Sequence, residues 1–577
     1  MRNNRRWARI ISILLTAFML APLSTGTALA ADDPFKMFRE NAVGIGLKDA
    51  DPDAFPGYVH YDPEAFYADL EELQRVAAGN GQDDLDKAFA LYDSLYKETV
   101  SVRDLYFAAV LGSGEDVYHT AFQNEKEYTG ALLTGMKDRF LNVIREICTG
   151  VSGEAFRQHI GSDMIFDSYT SYEPLTEKAK ALIDREEALE SEYNALNAVI
   201  YEEAAGGENF DYASANERMG RVFLDLVAVR RQIAQEMGYL NYAEYADREL
   251  FSRDYSEADM QLLKNAVKKY GQTINYYTLC VFLDAAMPEA DTELILGDSG
   301  NIVSSFSDVA AESYRLLRER RLLSAGFEEC RADSEVTHIF PGKNSAAIEV
   351  KFFQNTEFYN YKTFIHELGH FSHMIRVANP NPLFTEEGCT DVVEMHSTFL
   401  ETLASKRMDA IYRRPMFFQG YELCSLAYSL LSGCYYDDWQ RAIYESEKEL
   451  TLDGINALFK EIRMDYGIAE YEGMEYEWMW VPHNFLYPLY YFSYAASGFA
   501  ALQLWNESGN DFEHAVEIWE KSLWENPYSE GYMQAVENLG FESFTRPGCA
   551  EETLQKVIDD LTELEAAAMA SLEAPAA

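Results

Sequence analysis

The sequence predicts a mainly α fold with one small β-sheet, and three observations carry that expectation. Between about 33 and 330, apolar residues recur at helical spacing with short breaks and few β-branched runs. The stretch EKAKALIDREEALESEYNALNAVIYEEAA, 177–205, contains neither Pro nor Gly, and NERMGRVFLDLVAVRRQIAQEMG follows it after GGENFDYAS, so the two read as the arms of a helical hairpin. One segment breaks the pattern: NSAAIEVKFFQN, 344–355, alternates small or apolar with polar residues between PGKN and NTEFYNY, and reads as a short strand with an exposed edge.

The first thirty residues differ from the rest. MRNNRRWAR supplies four arginines and no acid, IISILLTAFMLAPL is apolar, and Ala28 and Ala30 occupy the −3 and −1 sites before Ala31, the layout of a cleavable secretory signal. The apolar run falls short of the roughly 20 residues that span a bilayer, and no second stretch reaches that length. The expected product is an exported, extracellular or cell-envelope protein with no stable membrane partner once the signal is removed. Seven cysteines, odd in number and without a CxxC pair, do not read as a disulfide framework, which leaves room for one or two unassigned bridges. The formal net charge of −48 becomes more negative when the leader arginines go, which excludes nucleic acid as a partner. An acidic field of this size favours cationic ligands or serves solubility.

At 577 residues the chain is too long for one compact core. Further amphipathic helices are expected from 255 to 330, from 361 to about 377 and from 390 to 410. The tail, 549–577, is expected as a surface helix that frays into small residues.

The chemistry concentrates in YKTFIHELGHFSHMI, 361–375. Residues four apart share a helix face, so His366 and His370 can present two imidazoles to one ion, with Glu367 beside them, within the HExxH arrangement of zinc peptidases. Downstream, Asp391, Glu394, Thr398 and Glu401 fall on one face of a helix whose other positions include Val392, Val393, Met395, Phe399 and Leu400. Carboxylates buried in such a helix need a metal or hydrogen bonds.

HELGHFSH followed 24 residues after His370 by Glu394 in CTDVVEMHSTFLE resembles the thimet oligopeptidase and oligoendopeptidase F family, on its oligoendopeptidase F branch. The resemblance implies a two-lobed helical zincin-type metallopeptidase with a small sheet beside the active-site helix and a deep substrate channel. It implies one Zn2+ held by His366, His370 and Glu394, with Glu367 as the catalytic glutamate. The expected division of the chain is a signal peptide (1–30), an N-terminal helical lobe (31–250), a zinc peptidase domain (251–548) and the tail (549–577), with the resemblance itself covering roughly 230–500. With three ligands assigned, His373 reads as support or packing. Asp391 and Glu401 either orient ligand imidazoles or pair structurally, and His396 stands where thimet-branch relatives carry proline.

The segment MWVPHNFLYPLYYFSYAASGFAALQLW, 479–505, matches the family's histidine followed by spaced tyrosines. His483, Tyr491 and Tyr494 are expected to stabilise the oxyanion, with Tyr490 as a competing choice because the spacing can slip by one. Tyr487 and Tyr490 are equally well read as core aromatics. The strand at 344–355 falls where such enzymes lay an edge against substrate. RRQIAQEMGYLNYAEYADREL, 230–250, resembles the family segment before the catalytic domain.

The function implied is an exported zinc oligoendopeptidase acting on short unfolded peptides. Zinc polarises the carbonyl and lowers the pKa of its water toward ~7, and Glu367 moves the proton. Two other readings are a zinc carboxypeptidase or dipeptidyl carboxypeptidase on a related helical fold, and a non-catalytic peptide-binding protein.

Overall fold

A computed structural model describes residues 60–573 apart from 80, 116–119, 173, 206–209, 281–290, 320–321, 329–332, 339–345, 354–356, 378–382, 384–387, 409–414, 526 and 528–529, so the expected leader lies outside the described residues. Helices α1 (Glu64–Ala77), α2 (Gln82–Glu115), α3 (Thr120–Thr149), α4 (Gly153–Ile160) and α5 (Asp163–Ser171) pack around Phe66, Leu70, Phe140, Phe156 and Tyr169. Leu383, distant in sequence, is buried in the same cluster.

Helices α6 (Glu177–Ala205) and α7 (Tyr212–Glu236) form the expected hairpin. Asp211 caps α7 by accepting the Ser214 N–H at 3.0 Å. The hairpin was expected within the N-terminal lobe, yet its apolar side chains join the larger, later core. Aromatic stacking explains this: Tyr193 lies 4.1 Å from Phe485, and Phe223 lies 5.4 Å from Trp439 and 4.8 Å from Trp478. The chain then makes a turn at Tyr242–Tyr245 that widens into a π-helical turn, Ala246–Leu250.

Next come α8 (Glu257–Cys280), α9 (Thr292–Ser304), α10 (Asp308–Glu319), and strands β1 (Leu323–Glu328), β2 (Asp333–His338) and β3 (Ala346–Phe353). The sheet order is β1-β3-β2, with β1 parallel to β3 (Leu323 opposite Ile348) and β2 antiparallel to it (Asp333 opposite Lys351). The segment expected to offer a free edge is therefore the central strand. Its alternation arises from a buried row, Ala346, Ile348, Val350 and Phe352, that packs onto the following helix.

That helix is α11 (Glu357–Met374), followed by α12 (Thr390–Ser405), α13 (Pro415–Tyr444), α14 (Leu452–Asp465), α15 (Tyr491–Asn510), α16 (Phe512–Ser522), α17 (Tyr532–Asn538) and α18 (Cys549–Glu573). The elements stack in layers: β2 and β3 against α11, α11 against α12, α12 against α15, and α15 against α13. The tail helix α18 is more than a solvated surface element, for it buries Leu554, Val557 and Leu561 against α8 and α13. Five cysteines, Cys148, Cys389, Cys424, Cys434 and Cys549, are buried free thiols.

A buried chain of charges crosses this core. Lys264 meets Asp437 at 2.6 Å, Arg441 meets Asp437 and Asp247 at 2.8 Å, and Arg253 meets Asp247 at 2.7 Å. Burial alone would raise the Asp437 carboxyl, but Arg441, Lys264 and Arg253 outweigh it and hold the group down at about 2. An acid held below its unfolded value of about 3.9 stabilises the fold above that pH, and the contribution is lost as pH falls toward the folded value. Urea midpoints are therefore expected to be flat near neutrality and to fall between about pH 4 and pH 2. Asp437→Asn lowers the neutral midpoint and shallows that acid limb, and an unaltered limb in the variant would sink this account.

Candidate metal centre

The site begins with a close crossing of two helices. A Cβ placed on Gly369 would lie 2.5 Å from the Ser397 Cα and 2.8 Å from the His396 carbonyl oxygen, so α11 and α12 touch backbone to backbone. Every residue of α12 except Val393 is buried. This contact brings Glu394 of α12 against His366 and His370 of α11.

The donor atoms of these three residues all lie within 4.8 Å of one another. His366 Nε2 and His370 Nε2 are 3.1 Å apart, and Glu394 Oε2 is 3.5 Å from the first and 3.8 Å from the second. A tetrahedral ion with bonds near 2.0–2.1 Å separates its ligand atoms by roughly 3.3–3.5 Å. Two imidazole nitrogens and one carboxylate oxygen are also the donor types zinc takes, so the residues fit that metal. His366 Nδ1 donates to Glu401, which leaves the Nε2 lone pair facing the cluster. Burial, aided by His370 and Lys362, holds His366 well below its ordinary value, and burial brings His370 down to about 4. Both imidazoles are neutral at pH 7, as metal ligands must be.

The remaining candidates separate by position. Glu367 is buried beside the cluster on α11. His373 points the other way: its Nδ1 meets the Leu523 carbonyl at 3.1 Å and its ring stacks on His396 at 3.9 Å. Of the two possible orienting carboxylates, Glu401 reaches the His366 imidazole. Asp391 instead accepts from Tyr255 and lies 3.7 Å from Arg253, with no exposure.

His483 sits in a ring of tyrosines, with centroids 5.2 Å from Tyr490, 5.3 Å from Tyr491 and 5.9 Å from Tyr494. Tyr490 donates to Glu394 Oε1 at 2.5 Å, which leaves Oε2 for the histidines. Tyr494 lies 3.5 Å from His483 Nε2, and burial, then the charges of Glu394, Tyr491 and Glu367, push its phenol well up, so it is neutral and able to donate. Tyr491 packs edge-on against Tyr436 at 4.7 Å.

An unusual turn aims Tyr490. Leu489 is fully buried with φ at 70°, a left-handed conformation that costs a non-glycine residue about 1–3 kcal/mol. It is held from both sides: its N–H donates to Gln440 Oε1, and its carbonyl accepts from Arg253 at 2.9 Å. Arg253 also meets Ser493 Oγ at 3.1 Å, so one guanidinium ties the tyrosine turn to Asp391 at the start of α12.

Gly369, Lys362, Arg253 and Leu489 shape the site without a role in any of its motifs. Gly369 leaves a trace, since glycine inside a helix costs about 1 kcal/mol and asks for a packing reason. Lys362 leaves another, four residues before His366 on the same face. Leu489 leaves none.

No protein-family model and no curated protein matches the sequence. Solved structures do. A structure described as PZ peptidase A with inhibitor 2 has a TM-score of 0.71 at 16% identity, covering 88% of this chain and 98% of that one. A putative oligoendopeptidase F gives 0.69 at 17%, covering 88% and 98%. A putative oligoendopeptidase F from Bacillus anthracis gives 0.68 at 15%, covering 90% and 99%. The chain thus shares the mainly α fold of these structures over nearly their whole length.

Gly369→Ala is expected to cost about 1–3 kcal/mol, because the helices must separate to admit the methyl group. Thermal melting of the two proteins tests this, and an unchanged midpoint would show that the crossing tolerates a wider spacing.

Proposed function

We propose that this chain is a zinc-dependent oligoendopeptidase that hydrolyses internal bonds of short unfolded peptides and works outside the cytoplasm. The observation that carries the reading is the cluster of His366, His370 and Glu394 with Glu367 beside it, set in a fold shared with solved peptidases. Zinc held by those three residues supplies Lewis acidity at the scissile carbonyl. Glu367, buried next to His366, takes a proton from the attacking water and returns it to the departing amine. Tyr494 and His483 donate hydrogen bonds to the oxygen on which negative charge develops. Tyr490 holds Glu394 in place, while Tyr491 supports the ring through Tyr436. Because β3 is paired on both sides, strand addition by an extended peptide falls to another strand, and β2 is the edge beside α11. Export rests on the leader sequence; no described helix is long and apolar enough to cross a membrane.

Mass spectrometry of a digested peptide library tests the activity, and C-terminally amidated members separate the endopeptidase from a carboxypeptidase. Glu367→Gln is expected to lower cleavage about 100- to 10,000-fold, the range a positioned general acid–base group supplies, with one zinc still bound. Glu394→Ala is expected to lose the metal. Substantial cleavage by Glu367→Gln would end the proposed mechanism.

A further inference from the structure

The imidazole of His366 is held by a carboxylate, and that carboxylate is itself held. Lys362 lies one helical turn before His366 on α11, and its ammonium pairs with Glu401 of α12 and with Glu422 of α13, the latter at 3.0 Å. The side chain of Glu422 has no exposure and that of Glu401 has 3%. Two buried carboxylates thus share one cation, where either alone would be an uncompensated charge in the interior. The sharing also fixes geometry. One Glu401 oxygen is engaged by Lys362, which turns the other toward His366 Nδ1.

From this relay across three helices we propose that Lys362 and Glu422 are positioning residues for the metal centre. They keep Glu401 in the orientation that fixes the His366 ring and directs its Nε2 at the ion. Glu422 anchors the ammonium from α13, so Lys362 is held short of swinging toward solvent. The inference rests on the zinc reading above and adds to it a determinant of metal affinity outside the ligand set. Partners of ligating histidines typically change metal affinity about 10–100-fold when removed.

The test is zinc affinity, measured by competition with a chromogenic chelator on variants first shown to melt cooperatively. Lys362→Met is expected to weaken zinc about 10–100-fold and Lys362→Arg to stay within about threefold of the parent, since the guanidinium restores both pairings. Lys362→Met in a Glu401→Gln background should add nothing to the loss from Glu401→Gln alone, because Lys362 acts through that carboxylate. Should Lys362→Met fail to fold, Glu422→Gln serves instead, with an expected loss of about threefold to tenfold. Parent-like affinity in Lys362→Met or Glu422→Gln, or additive loss in the double variant, overturns the positioning role and leaves the zinc reading intact. A parent protein that binds no zinc overturns both.

Discussion

The site depends on how closely α11 and α12 approach at Gly369. The three candidate ligands come from two helices, and their donor atoms meet within 4.8 Å because no side chain separates the backbones there. The layers on either side serve that contact. Strands β2 and β3 press on α11, and α15 presses on α12, so both helices are packed from behind and cannot drift apart without opening the core. Near-total burial of α12 has the same consequence. A carboxylate on a buried helix has to be satisfied in place, and Glu394 is satisfied by Tyr490 on one oxygen and faces two histidines with the other.

Charge organises the next layer outward. Asp391, Glu394 and Glu401 share a helix face, yet each meets a different environment. Asp391 is drawn into the ionic chain that runs through Arg253, Asp247, Arg441 and Asp437. Glu401 belongs to a separate relay with Lys362 and Glu422. The two systems hold opposite ends of α12, and Arg253 carries the first of them on to Leu489 and hence to the tyrosines. A residue in the left-handed region survives at Leu489 because the surrounding hydrogen bonds over-determine it, and the result is a phenol delivered to Glu394.

Helical periodicity made the hairpin of α6 and α7, the site helices and the mainly α class legible in the sequence, because a 3.6-residue repeat is a local property. The candidate metal-binding pair was legible for the same reason: His366 and His370 are one turn apart on a single helix. The free edge was misassigned. Alternation in 344–355 reports one buried face, and a central strand shows that pattern as readily as an edge strand when only one face is covered.

By itself the sequence determined the helices, the histidine pair with its adjacent glutamate, and the presence of several carboxylates on one downstream face. The family resemblance already pointed to Glu394 as the carboxylate beside the imidazoles; tertiary structure alone decided that Glu401 reaches one of them while Asp391 is withdrawn into a distant ion pair. It also decided that Tyr490 holds Glu394 while Tyr494 lies beside His483. The reason is physical: these assignments depend on distances between residues far apart in the chain, set by close backbone packing and by the pairing of buried charges, and neither leaves a periodic trace in the order of amino acids.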